Sequence, residues 1–420
     1  MSAETPAPEQ SALHRWMWRW HGYAGLFVIP FIFFMALTGL PYVWENELEN
    51  LAHPEYRALH PQPARVSYEQ QLATARAAGG ESLLYVKFDG DPHHATQFVF
   101  GTTTNPTSVF VNPYSGEIIT TMREWTRVSF AAISLHGLTF IEPFGSWLLE
   151  LLACWGIVLC CTGVYLWWPR GSGSKMWGVF LPRLRAGGRT RWRDLHAVTG
   201  FYFAGVLALY LLTGLPWTAF WGGKLLTGIQ NATGQCCAAT MTADAGLESR
   251  APAPDASRLP LDVFAEFALK QHLPGHLRIE LPATPTGTVH IFNRLNRDPV
   301  EKHFHLDAFT GQVLGSSDWS DVPLTAKAVA LGVNLHEGSL FGRATQILST
   351  ALAGVFMLMA GAAAAMWWRR RPQGRLDLPK RIAAPTLPRG VKSGIVILGL
   401  ALPLLGLSFV LAALARPRAE

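Results

Sequence analysis

Five long apolar runs, separated by polar segments, dominate the pattern of hydrophobic and polar positions along the 420-residue chain. A helix of roughly 20 apolar residues crosses the ~30 Å hydrocarbon core of a bilayer. The pattern therefore predicts a polytopic membrane protein and excludes a soluble enzyme, a disordered chain and a secreted disulfide scaffold. The runs lie near residues 22–44, 146–168, 197–221, 343–368 and 394–414.

The charged residues indicate how the chain is oriented. Only 15% of the residues are charged and the formal net charge is +6, which in a membrane protein indicates sidedness rather than nucleic-acid binding. Short loops rich in Lys and Arg stay in the cytoplasm, and the segments 169–194 and 369–392 are of this kind, whereas 45–127 and 222–323 carry slightly more acids than bases. We therefore predict that residues 1–21 and both basic loops are cytoplasmic and that the two polar segments lie outside.

One unit of sequence occurs twice, which is the most informative feature of the chain. His21 and His196 are each followed 17 residues later by a Thr-Gly-Leu-Pro sequence. His136 and His336 each precede a pair of tryptophans by 31 and 32 residues. The match predicts two units, each a span, a polar domain and a returning span. The predicted segments are TM1 at 22–44, an interfacial helix and TM2 at 128–168, TM3 at 195–221, an interfacial helix and TM4 at 324–368, and a fifth span at 393–415.

The polar segments have the pattern of α+β domains. The first predicts a helix at 68–78 and the second a helix at 261–270, each followed by runs of alternating polar and apolar residues typical of strands. Each segment also closes with a strand–turn–strand pattern. We therefore predict a membrane α-helical bundle with two α+β domains related by the internal two-fold repeat.

The four matched histidines are the candidate site residues. His21 and His196 are predicted near the cytoplasmic face, and His136 and His336 near the opposite face, on short interfacial helices. Two neutral imidazoles that face each other can serve as the axial ligands of an iron porphyrin. Gly25 and Gly200 lie one turn after the first pair, on the same helix face, where they would leave room for a flat macrocycle. The sequence thus predicts two haem b groups in series across the bilayer, with His21 and His196 on the inner iron and His136 and His336 on the outer one.

A structural role, a zinc site and a proton relay all fit these histidines less well than haem does. A single His at a helix end is more often a polar residue whose hydrogen bonds are satisfied, but ionisable residues within spans are functional by default. Zinc is less favoured because Glu337 is the only carboxylate or Cys among the four residues that follow each of these histidines. A proton relay would not require pairing by depth.

Two further groups of residues carry weaker signals. His303 and His305 alternate on one predicted strand and His290 lies on its neighbour, and we expect them to face solvent, with contact to an outer substrate or metal as the alternative. Cys236 and Cys237 are adjacent, and whether they pair is open. Because the sequence has no C-x-x-C-H motif, covalent c-type haem attachment is excluded.

These motifs together resemble the PepSY-associated transmembrane family. The resemblance rests on H-x-x-x-G…T-G, on L-H-G…W-W-P-R and on the N-P-Y-S-G-E hairpin, and it covers about residues 14–372. It implies a multi-pass protein of the bacterial inner membrane, similar to ferric-siderophore reductases, with the four histidines as axial ligands. It also implies electrons from a separate cytoplasmic donor or quinol, a ferric siderophore as the outer substrate, and an association with siderophore transport components. The alternatives are a non-redox protein that binds peptides or regulates a protease, and an accessory subunit of an iron-siderophore transporter.

Overall fold

The computed structural model describes most of the chain. Cys236, Cys237 and part of both basic loops lie outside the described residues, so the structure does not bear on those predictions. The description covers residues 12–414 except 89, 103–104, 170–175, 236–245, 252, 254–255, 295–300 and 372–384.

The chain divides into two compact units. The helical unit comprises Met1–Leu40, His136–Thr227 and Thr350–Glu420. The sheet unit comprises Pro41–Leu135 and Gly228–Ser349. The helices, in chain order, are α1 (Ala12–Val43), α2 (Glu45–Ala52), α3 (Pro54–Arg57), α4 (Tyr68–Gly79), α5 (Val128–Gly137), α6 (Phe144–Trp167), α7 (Gly188–Gly214), α8 (Thr227–Ala232), α9 (Leu261–Lys270), α10 (Leu324–His336), α11 (Arg343–Arg370), α12 (Arg389–Ala401) and α13 (Pro403–Leu414).

Four of the described helices are long and apolar enough to cross a membrane. They are α1, α6, α7 with its following turn, and α11, and each coincides with one of the first four predicted spans. The chain is therefore a multi-pass membrane protein. The short helices α5 and α10 precede α6 and α11, and each carries its predicted histidine at or next to its C-terminal end.

The predicted fifth span at 393–415 is wrong as a single transmembrane helix. The apolar run is divided into α12 and α13 at Leu402, whose backbone is extended (φ −126°, ψ 82°), because Pro403 has no N–H and disfavours helical backbone at the preceding residue. Each half is roughly 20 Å long, shorter than the ~30 Å hydrocarbon core. The two helices pack tightly, since a Cβ on Gly406 would lie 2.5 Å from the carbonyl oxygen of Gly399.

The two polar segments build one sheet. Each contributes one long helix followed by four antiparallel strands, and the strand order is β4-β3-β2-β1-β5-β6-β7-β8. The segments join where β1 pairs antiparallel with β5, with Val86 opposite Ile279. The strands are β1 (Leu83–Phe88), β2 (Thr96–Thr102), β3 (Asn105–Val111), β4 (Ile118–Arg123), β5 (His276–Glu280), β6 (Val289–Arg294), β7 (His303–Leu306) and β8 (Val313–Ser317).

This continuous sheet differs from the separate domains that the sequence predicts. Left apart, β1 and β5 would each expose a row of backbone N–H and C=O groups at a sheet edge, and their pairing satisfies these groups.

The two faces of the sheet differ in chemistry because side chains alternate along each strand. Helices α4 and α9 cover the apolar face, where residues such as Phe98 and Ile291 are fully buried. The N-termini of these helices cap each other: Asp262 accepts the backbone N–H of Tyr68, and Glu69 accepts that of Leu261. The opposite face carries the polar side chains of the sheet.

Candidate functional site

The structure brings His21 and His196 together. His21 lies on α1 and His196 on α7, both half-buried, and their ring centroids are 6.3 Å apart with an angle of 68° between the ring planes. Two nitrogens bonded to one metal atom at about 2 Å each would place the rings at a separation of this order. The rings are thus close enough to share one metal ion and are not stacked on each other.

Thr162 fixes the tautomer of His21. The Thr162 hydroxyl oxygen is 2.8 Å from the carbonyl oxygen of Val158 and 2.9 Å from Nδ1 of His21. In this geometry the Thr162 hydroxyl donates its proton to the carbonyl of Val158, which itself can only accept. The hydroxyl oxygen therefore accepts the N–H of His21 Nδ1, which leaves the Nε2 lone pair available for a metal. Metal-binding histidines usually donate their second ring N–H in this way.

The residue after Thr162 makes room for the ring. A Cβ on Gly163 would lie 3.3 Å from Cε1 of His21. A larger residue at position 163 would therefore press on the imidazole. Thr162 and Gly163 together form a seat for the His21 ring on α6.

In His196, Nε2 is likewise left unprotonated, but a different contact is responsible. Its Nδ1 lies 3.1 Å from the carbonyl oxygen of Met359 on α11, which can only accept, so Nδ1 carries the proton and Nε2 does not. A Cβ on Gly25 or Gly200 would be in ordinary van der Waals contact with its nearest neighbour, at 3.8 Å and 3.7 Å respectively, so the space for a macrocycle at these glycines stays a prediction.

His136 sits in a second Thr-Gly seat. The hydroxyl of Thr38 donates to the carbonyl of Phe34 at 2.8 Å and accepts from Nδ1 of His136 at 3.2 Å. A Cβ on Gly39 would lie 3.3 Å from Cε1 of His136. Burial lowers the pKa of His136, which favours the neutral ring that axial ligation requires. His136 thus has the same tautomer as His21.

His336 lies at the end of α10 in the sheet unit, whereas His136 belongs to the helical unit. Its neighbour Glu337 accepts a hydrogen bond from Tyr42 at 3.0 Å. The pairing of His136 with His336 therefore stays a prediction from the sequence.

The prediction that His290, His303 and His305 face solvent is wrong. All three are buried, with exposed fractions of 3%, 4% and 0%. His290 connects Glu280, 3.1 Å from its Nδ1, to His303, 3.0 Å from its Nε2. Burial acts to raise the pKa of Glu280, but the hydrogen bond with His290 and the charge of Arg278 outweigh it, so the pKa is lowered. The strands do place the three rings on one face, as the alternation predicts.

Within the part of the chain that the structure describes, no three His, Cys, Asp or Glu side chains come together as a metal-binding group. The histidines of α1 and α7 instead form a two-ligand pair. Such a pair suits a metal whose remaining ligands come from a macrocycle, as in a haem with two axial histidines.

Thr162, Gly163, Thr38 and Gly39 are not among the site residues that the sequence predicts. The Thr-Gly dipeptide occurs at both positions, but it also occurs elsewhere in the sequence, for example at 199–200 and 213–214, so the dipeptide alone does not mark a site. Which histidine each dipeptide serves depends on helix packing, which the sequence pattern does not determine.

The comparisons with known proteins identify a family. A family model described as "PepSY-associated TM region" matches residues 18–370. This range includes all four matched histidines and both Thr-Gly seats. No curated protein matches the chain.

Proposed function

Because the chain belongs to the PepSY-associated transmembrane family, we propose that it is a di-haem b electron-transfer protein of the bacterial inner membrane. It would pass electrons across the bilayer to a periplasmic substrate, ferric iron held by a siderophore. The observation that carries the proposal is the pair of half-buried imidazoles, His21 and His196, held 6.3 Å apart with both Nδ1 atoms used as donors.

The chain's own residues would prepare the inner site for haem. Thr162 and the Met359 carbonyl orient the two rings and keep each Nε2 unprotonated. Gly25 and Gly200, one turn after these histidines, would present no side chain to a flat group bound there. When bound there, haem would supply reversible one-electron transfer at iron, with two histidine ligands.

A second haem is proposed on His136 and His336. This assignment rests on the sequence match between the two residues. The structural support is the setting of His136 alone, in which Thr38 fixes the same tautomer that Thr162 fixes in His21. With His21 and His196 at the cytoplasmic side, electrons would enter there from a separate donor, protein or quinol, and leave at the periplasmic side.

The proposal is tested with the full-length protein purified in detergent. We expect a red protein with a reduced-minus-oxidised spectrum typical of b-type haem, and about two haems per chain from two axial pairs. In proteoliposomes with a trapped reductant, the protein should reduce an external ferric siderophore, and replacement of any of the four histidines by Ala should stop the reduction, because a series pathway fails at either haem.

The matched control is His60→Ala, at an exposed position of the sheet unit, which should keep both haem and reduction. A colourless protein that gains no haem when haem is supplied would contradict the proposal. That result would favour the non-redox alternative, a membrane protein that binds peptides or regulates a protease.

A further inference from the structure

A small pocket on the polar face of the sheet has a strongly cationic lining. It lies within the sheet unit, beside the ends of β1 and β5, with an empty volume of about 280 Å³ that includes open solvent. No acidic side chain is among its described lining residues, which are Tyr56, Arg57, Lys87, Phe88, His94, Ala95, Gln97, Phe110 and His276.

Two of the lining cations have no partner in the described part of the chain. Neither a hydrogen bond nor an ion pair reaches the ammonium of Lys87 or the guanidinium of Arg57 there. Lys87 projects from β1, between Gln97 on β2 and Arg278 on β5. The charge of Arg278 is already paired, with Glu280 at 2.8 Å. A half-buried ammonium without an ion pair is unfavourable, because burial removes water from the charge and the carboxylates of Glu45 and Glu124 compensate it only in part.

Two acids of the same unit, Glu49 and Glu124, form ion pairs with Arg127. Arg127 donates to Glu49 at 2.7 Å and to both carboxylate oxygens of Glu124, at 3.1 and 3.0 Å. Glu124 also accepts hydrogen bonds from Gln97 and Ser108. These carboxylates therefore neutralise Arg127 and do not line the pocket.

We propose that this pocket is a binding site for a small oxyanion, a carboxylate or phosphate group, held by Lys87 and Arg57. The planar guanidinium of Arg57 can donate two parallel hydrogen bonds to either group, and Lys87 supplies a point charge. His94 and His276 also line the pocket, and Nε2 of His94 lies 3.7 Å from a carboxylate oxygen of Asp91. The site does not depend on haem binding.

The size of the pocket indicates what part of a ligand it takes. The empty volume of about 280 Å³ includes open solvent, so the enclosed part of the pocket is smaller than this figure. The pocket therefore suits one anionic group of a ligand whose remainder extends into solvent. Citrate represents the carboxylate class and inorganic phosphate represents the phosphate class.

Lys87 gives the site a measurable signature. Burial, followed by the positive charges of Arg127 and Arg57, lowers the pKa of Lys87 to about 8, while Glu45 and Glu124 oppose the shift. An anion in the pocket would favour the charged amine and raise this pKa. Binding at pH 8 should therefore take up a proton, up to about half a proton per site.

The test is calorimetric titration of the full-length protein in detergent with citrate and with phosphate, at constant ionic strength set with chloride. We expect binding of at least one probe, weaker as the pH rises from 7 to 9. The binding enthalpy at pH 8 should change with the ionisation enthalpy of the buffer, as proton uptake requires. The probe that binds more tightly shows whether the site prefers a carboxylate or a phosphate group.

Variants separate the site from general charge effects. Lys87→Gln should lower the affinity tenfold or more, by loss of a charge-assisted hydrogen bond, and Arg57→Gln should do the same. Lys87→Arg should keep binding but abolish proton uptake. The control Lys270→Gln, at an exposed lysine paired with Glu266, should change neither the affinity nor the proton uptake.

The proposal is overturned if neither probe binds to the wild-type protein. Equal affinities in the wild type and in Lys87→Gln would also overturn it. The wild-type measurements need no variant, so the test holds even where a substitution fails to fold.

Discussion

Replacement of Thr162 by Val tests how the His21 ring is prepared for a metal. Valine keeps the volume of threonine but removes the oxygen that accepts the His21 Nδ1–H at 2.9 Å. A donor left buried without its partner costs about 1–3 kcal/mol. Loss of such a supporting contact typically lowers metal affinity about 10- to 100-fold. We therefore expect haem to leave the His21–His196 site about 10- to 100-fold more readily in the variant.

In the assay, the purified protein is mixed with an apoprotein that captures released haem. The loss of the b-type absorption is then recorded over time, and two haems released at different rates give a faster and a slower phase. In Thr162→Val only one phase should accelerate, because only one of the two proposed haems contacts His21. Thr162→Ser keeps the hydroxyl and is the matched control, with both phases close to those of the wild type. Unchanged haem release in a folded Thr162→Val protein, or equal acceleration in both variants, would refute the tautomer argument.

Three other predictions concern stability and topology. Glu150→Ala should lower the free energy of unfolding by about 1–3 kcal/mol, because the backbone N–H groups of Phe220 and Trp221 lose their acceptor. Thermal unfolding measures this loss, and a smaller loss than in the exposed-site variant His60→Ala would contradict the prediction. Arg127→Met should lower the free energy of unfolding by about 3–5 kcal/mol, since it leaves the buried Glu49 and the half-buried Glu124 without their counter-charge. A cysteine at Gly187 should resist an impermeant reagent in intact spheroplasts, and its labelling there would contradict a cytoplasmic basic loop.

The ion pair of Glu49 also predicts a dependence on pH. Burial acts to raise the pKa of Glu49, but Arg127 and Tyr56 outweigh it, so the folded pKa lies below the ordinary value of 4.5. A lowered carboxyl pKa stabilises the fold above the unfolded value, and this contribution is lost as the pH falls through the folded value. The contribution of this pair should therefore be constant from pH 7 to 5 and fall below about pH 4.5. Arg127→Met should not show that loss, which a melting curve of each protein checks.

The local pattern of apolar and polar residues predicted most of the helices and strands. The four spans, the helices at 68–78 and 261–270 and most strands follow from the period of the apolar residues, which is a local property. The prediction of a fifth span was wrong because it rested on the apolar composition of the run and not on Pro403, which lies in the middle of it. A proline there ends one helix at the preceding residue.

The tertiary features could not be predicted in the same way. Strands β1 and β5 have the same alternation whether their edges pair or not, so the single sheet was missed. Likewise, the alternation placed His303 and His305 on one face correctly, but it carries no information on whether that face is covered. The lining of the Lys87 pocket comes from α3, several strands and a loop, a set that only the folded chain brings together.

The haem content of the His21→Ala, His196→Ala double variant tests the central claim most directly. If both histidines bind the same iron, bound haem falls from about two per chain to about one in each single variant and stays at about one in the double variant. A folded double variant that has lost both haems would contradict the pairing. Two haems retained in either single variant would equally contradict it.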